Sequence, residues 1–150
     1  EVAYSTGRQM TKAVFSAAYN IEDVVDVIRG VYEGRVTFHN GDASLAPGVS
    51  IHHIGGHTDG LQIVRVWTER GWVVLAADAS HLYANMDQVN PFPIVFNVGD
   101  MVAGYDQLRE LADTTDHIIP GHDPLVMEKY PASSPELGGI AVRLDLPPRN

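Results

Sequence analysis

The sequence predicts an α+β (α/β) domain built on a mainly antiparallel sheet with helices on one face. Three observations predict it. Short apolar runs at Val49–Ile54, Leu61–Thr68 and Trp72–Ala77 follow one another as a meander, the last two separated only by Glu69-Arg70-Gly71. Apolar residues at helical spacing recur before this block, at Ile21, Val24, Val25 and Ile28, and after it, at Met101, Tyr105, Leu108 and Ala112. The 9 prolines and 14 glycines lie scattered, which leaves no room for a long helical array. With 150 residues, 45% of them hydrophobic, and with neither an internal repeat nor a linker, residues 1–150 read as a single domain.

The elements follow in order. Met10, Val14 and Ala17 or Ala18 after Thr6 predict a weakly amphipathic helix over 6–19. Asn20 caps a clearer helix, with Glu22 and Asp23 in its first turn and Gly30 or Gly34 at its end. From Arg35 the period changes to two, with Val36 and Phe38 alternating up to an Asn40-Gly41 hairpin turn. Ser80 to Gly99 reads as a loop able to cover a cleft, broken by Asn90-Pro91 and Phe92-Pro93, with Ile94-Val95-Phe96 as a short strand within it. Asp100 is expected to cap the last long helix, and His117-Ile118-Ile119 to form a strand stopped by Pro120-Gly121. In the tail, Ile140 to Leu144 is at best an edge strand.

Charge and composition exclude several functions. A net charge of −9 repels phosphate backbones and anionic lipid, so neither nucleic acid nor a membrane is an expected partner. No apolar run approaches the ~18 residues of a membrane span. The absence of cysteine excludes a disulfide framework, a thiolate metal site and a cysteine nucleophile, without identifying a compartment. A cytoplasmic location is the expectation.

Chemistry concentrates at three strand-to-loop junctions: Gly56-His57-Thr58, Asp78 and Gly121-His122-Asp123. Glycine beside each histidine permits a sharp turn, and imidazole with carboxylate suits zinc, iron, manganese or cobalt. Asp78 ends the run Val73-Val74-Leu75-Ala76-Ala77, where an uncompensated carboxylate is costly; a cation is one compensation and a helix cap at Ala79 or Ser80 another.

Gly-His-Thr-Asp-Gly at 56–60, Ala-Asp-Ala-Ser at 77–80 and Pro-Gly-His-Asp at 120–123 resemble the later metal-binding motifs of the metallo-β-lactamase-fold hydrolases. Asp-Ala-Ser after the carboxylate is similar to the N-acyl homoserine lactonase-like group. The resemblance implies the C-terminal half of a metallo-β-lactamase-type αββα sandwich. It implies two divalent metal ions, zinc foremost, with His57 on one, His122 on the other and Asp78 bridging them. A metal-bridging hydroxide would then open a lactone ring, such as that of an acyl homoserine lactone. In that group a tyrosine three positions after the bridging aspartate binds the substrate carbonyl. His81 holds that position here, with Tyr83 two residues further on, so Asp78, His81 and Tyr83 are the candidate catalytic residues.

The family's first motif, His-x-His-x-Asp-His, occurs nowhere in the chain. His52-His53 with His57 does not replace it, since neighbours on a strand point to opposite faces. The expectation is therefore the C-terminal portion of a longer enzyme, inactive alone and holding few or no metal ions by itself. A lactone or ester substrate is expected, with a homodimer or association with the missing N-terminal half. Alternatives are a β-lactam, thioester or other ester hydrolase of the same fold, and a non-enzymatic interaction module with an incomplete metal site. His39, His52, His53 and His117 are read as structural, Trp67 and Trp72 as a cross-strand pair, and Phe92, Ile94 and Phe96 as pocket lining or a loop anchor.

Overall fold

Trp67 and Trp72 flank a tight turn and face each other across it, with ring centroids 5.1 Å apart. They mark the register of the central hairpin, β3 (Gln62–Thr68) against β4 (Gly71–Ala77), in a computed structural model that describes residues 1–149. β2 (Val49–His53) pairs antiparallel with β3, and β1 (Ala43–Ala46) antiparallel with β2. β5 (Ile118–Pro120) joins the other side of β4 in parallel, so the order is β1-β2-β3-β4-β5. The sheet is mainly antiparallel, as the sequence predicts.

Alternation along β4 divides the core in two. Val74 and Ala76 join Ile63 and Ile118 under α5 (Val98–Leu111), whose Met101, Tyr105 and Leu108 are fully buried. On the opposite face, Val73 and Ile119 pack against Tyr130, with Val126 of α6 (Leu125–Lys129), Val142 and Leu144 closing over them. The chain thus supplies cover on the second face as well, beside β4 and β5. Val64 and Val66 of β3 remain half-buried there.

Several boundaries differ from expectation, each for a physical reason. The helix expected over 6–19 is broken into α1 (Val2–Ser5), a 3₁₀ turn at Arg8–Thr11 and α2 (Ala13–Ser16), because Gly7 and Lys12 are extended. Its stripe was weak, and Val14 is exposed. α3 (Ile21–Tyr32) forms as expected, with the Asn20 side chain accepting from the Glu22 N–H. It runs through Gly30, buried against Val36, and ends before Gly34, which has φ +69°. Residues 35–39 form no strand and Phe38 is exposed; the edge strand begins later, at Ala43, after Gly41.

α5 is capped by Asn97, which accepts from the Gly99 and Asp100 N–H groups; Asp100 lies one turn in. Ile94-Val95-Phe96 is loop, whereas α4 (Tyr83–Asp87) forms within the expected loop and α6 in a stretch that carried no expectation. Among the described residues the tail pairs through an isolated bridge between Ala132 and Val142. Among the described residues no helix is long and apolar enough to cross a membrane.

Candidate metal centre

Asp78 is aimed by a strained turn. β4 leaves the sheet through Ala77 at φ +46°, a left-handed conformation that costs a non-glycine residue about 1 kcal/mol. The neighbouring chain comes close enough that a Cβ at Gly121 would sit 2.6 Å from the Ala77 carbonyl oxygen, so only glycine fits. Pairing continues past the strand ends, with Gly121 N–H donating to Ser80 O at 3.0 Å and His122 N–H to His81 O at 3.0 Å. Those two bonds place His81 beside His122, their ring centroids 4.6 Å apart.

His57 follows the C-terminal end of β2, which lies at the same end of the sheet as the C-terminal ends of β4 and β5. Gly56, at φ +85°, turns the chain so closely under α5 that a Cβ would lie 2.7 Å from the Met101 Cα. The 92–97 loop then docks on this turn, with Phe96 and Asn97 N–H groups donating to Gly56 O at 2.9 Å. From the same loop, Ile94 O accepts from His57 Nδ1 at 2.7 Å. That bond places the ring proton on Nδ1 and leaves the Nε2 lone pair free, the usual arrangement of a metal-binding imidazole.

Three imidazoles converge on one carboxylate. His122 Nε2 lies 2.8 Å and His81 Nε2 3.3 Å from Asp78 Oδ1, while His57 Nε2 approaches Oδ2 at 3.8 Å. Ligand atoms of Asp78, His81 and His122 all fall within 4.8 Å of one another. Burial pushes the His81 pKa below the ordinary imidazole value, against the opposite pull of Asp78. Phe92 is buried and stacks on His81, with centroids 3.5 Å apart and an interplanar angle of 8°.

The expected ligands His57, Asp78 and His122 therefore come together, and His81 joins them. Tyr83 does not: Lys129 Nζ sits 4.3 Å over its ring, and it lines a cavity with Met86, Arg109 and Ile118 away from the histidines. It is the first residue of α4, two positions past His81. Asp123 was missed as a positioning residue. It is buried and accepts from the Tyr83 N–H at 2.9 Å and the Leu125 N–H at 2.9 Å, tying the His122 loop to α4. The acid directly after Gly-His was the available signal.

The other histidines serve the framework. His117 sits 2.8 Å from the Thr114 hydroxyl and 2.7 Å from Arg70 O. His52 lies between Asp42 Oδ2 at 2.8 Å and Ser50 Oγ at 2.9 Å, while Asp42 also accepts from the His53 N–H at 3.1 Å. The order acid, imidazole, hydroxyl resembles a nucleophilic triad, but Ser50 is a mid-strand residue opposite Arg65 and the group is a strut between the 41–43 turn and β2.

The donor set fits a divalent cation. A tetrahedral zinc with bonds of ~2.0 Å holds its ligand atoms ~3.3 Å apart, and the Asp78–His122 and Asp78–His57 separations bracket that spacing. No protein-family profile matches the sequence, and no curated protein matches it. Solved structures do. The chain is similar to an N-acyl homoserine lactone hydrolase holding the product N-hexanoyl-L-homoserine at its catalytic metal centre, at 29% identity and a TM-score of 0.56, over 61% of this chain and 37% of that one. It is equally similar to a mutant of AiiA from B. thuringiensis with N-decanoyl-L-homoserine bound at the active site, at 29% identity and a TM-score of 0.56, over 61% of this chain and 37% of that one. AidC, a dizinc quorum-quenching lactonase, shares the fold at 16% identity and a TM-score of 0.54, over 83% of this chain and 40% of its own.

Fold and site together are similar to part of a metallo-β-lactamase-type domain, and the similarity runs to N-acyl homoserine lactonases. The chain spans 37% of the length of the first two of these lactonases.

Proposed function

We propose that this chain carries part of the active site of a metal-dependent hydrolase that opens lactone rings, with N-acyl homoserine lactones as the substrate class. One observation carries the reading: side chains from three separate strand ends meet, His57 and His122 both facing the Asp78 carboxylate. The neighbour described as an N-acyl homoserine lactone hydrolase, at 29% identity, supports the substrate class.

His57, Asp78 and His122 are the metal ligands in this reading. When bound, divalent metal, zinc foremost, supplies an activated water at neutral pH and polarises the scissile carbonyl. The protein's own residues supply the rest. Ile94 O holds the His57 ring in its binding tautomer, and Asp123 fixes the loop that carries His122. Phe92 closes the apolar side of the cluster and keeps bulk water off His81. Asp78 carries the negative charge that offsets the cation.

The chain contains no His-x-His-x-Asp-His segment, so by itself it turns over no lactone. The test is expression of the gene from its natural start, followed by assay against lactone, thioester and β-lactam panels with and without a chelator. Chelator-sensitive lactone opening is the expected result. Hydrolysis of thioesters or β-lactams alone assigns a different substrate on the same fold, and turnover by the purified 150-residue chain contradicts the incomplete-site reading.

A further inference from the structure

We infer that His81 is itself a metal ligand, completing with Asp78 Oδ1 and His122 a three-donor set through which this chain alone holds one divalent cation. The inference rests on the metal-dependent reading above and adds a residue to it.

The geometry divides the Asp78 carboxylate between two sides. His57 faces Oδ2, whereas His81 and His122 both face Oδ1, at 3.3 and 2.8 Å. On the Oδ1 side the three ligand atoms lie within 4.8 Å of one another, and three protein donors are the number found in open zinc sites. A residue reserved for a substrate carbonyl has no reason to turn its nitrogen onto the bridging carboxylate. His81 does so.

Three features hold it there. The His122 N–H donates to His81 O, so the two ligands share one backbone ladder and move together. Phe92 stacks flat on the imidazole and fixes the plane in which Nε2 points. The Ser80 hydroxyl, fully buried, donates to Leu82 O at 2.9 Å and locks the turn between Asp78 and α4. Preorganisation of this kind lowers the entropy lost on metal binding.

The experiment is titration of the 150-residue chain with Zn2+ by calorimetry, and with Co2+ by visible absorption, in the wild type and the His81→Phe, His122→Ala, Asp78→Asn and His117→Phe variants. The wild type is expected to bind one ion tightly. His81→Phe should weaken binding beyond the roughly 10–100-fold lost when only an outer hydrogen-bond partner of a ligand is removed, and should alter the Co2+ spectrum. His117→Phe, outside the cluster, should retain the ion. Histidine 1H–15N spectra of the wild-type chain before and after Zn2+ supply the same answer without substitution, independent of any effect of His81→Phe on folding: Nε2 of His81 should shift together with that of His122. Equal affinity in His81→Phe, with no shift at His81 while His122 shifts, overturns the inference and leaves the metal-dependent reading standing. No dependence of Zn2+ binding on Asp78 or His122 overturns both.

Discussion

The ring of Phe92 lies flat on the imidazole of His81, 3.5 Å between centroids, so a loop residue of no apparent chemistry sets the plane of a histidine in the candidate metal centre. Phe92 is also part of the main core, beside Met101 and Tyr105. Phe92→Ala should therefore cost about 3 kcal/mol, the lower end for emptying a buried phenylalanine site, and weaken divalent-metal binding. Urea unfolding of the metal-free chain beside a Zn2+ titration reads both; a loss of stability without loss of metal affinity would show that the stacking does not orient His81.

Gly56 carries a second prediction. A side chain there is strained at φ +85° and would drive a Cβ to 2.7 Å from the Met101 Cα, so Gly56→Ala should destabilise by more than about 2 kcal/mol and displace His57. Chemical denaturation measures the first, and the histidine spectrum in Zn2+ the second. Unchanged stability would mean that the turn under α5 is not tight.

Much of this arrangement was legible in the sequence, and what was not has an identifiable physical cause. β2, β3 and β4 were visible because half-buried strands alternate and their turns carry glycine. β1 was hidden by the small residues Ala43, Ser44 and Ala46, which alternate too weakly to signal a strand. The helix expected over 6–19 failed because neither its stripe nor a capping side chain could outweigh the extended Gly7 and Lys12. At the site, His57, Asp78 and His122 were legible as ligand types beside glycine. The role of Ile94 was not, because its contribution is a backbone carbonyl, which any residue could supply.

The Asp42–His52 pair predicts a pH effect. The hydrogen bond from His52, with that from the His53 N–H, holds the Asp42 carboxyl below its usual value. The folded-state value is the lower one, so the stabilisation is full above the ordinary carboxylate pKa and disappears as pH falls through the lowered folded one. Asp42 is largely exposed, so solvent screening keeps the contribution below ~1 kcal/mol. Thermal unfolding from pH 6 to pH 2 should fall less steeply in Asp42→Asn than in the wild type; parallel curves would remove the pair from the stability of the fold.

Asn97 predicts the cost of a cap. Its side-chain oxygen accepts from two N–H groups at the start of α5, so Asn97→Ala should cost about 1 kcal/mol in denaturant unfolding. No change would mean that the loop packing, not the cap, starts the helix.

Exposed apolar surface predicts self-association. Ile21 and Tyr32 of α3 are 75% and 90% exposed, and Val64 and Val66 on the second sheet face are half-buried. Sedimentation equilibrium over a wide concentration range should show a dimer forming. A chain that stays monomeric at high micromolar concentration, and binds no hydrophobic dye, would show that these surfaces need no partner.

The central claim is that the Asp78 carboxylate is the hub of a metal centre, and metal content tests it most directly. Elemental analysis of the purified wild-type, Asp78→Ala and His122→Ala chains after Zn2+ loading and desalting should give about one ion for the wild type and close to none for either variant. Equal metal content in all three would contradict the account.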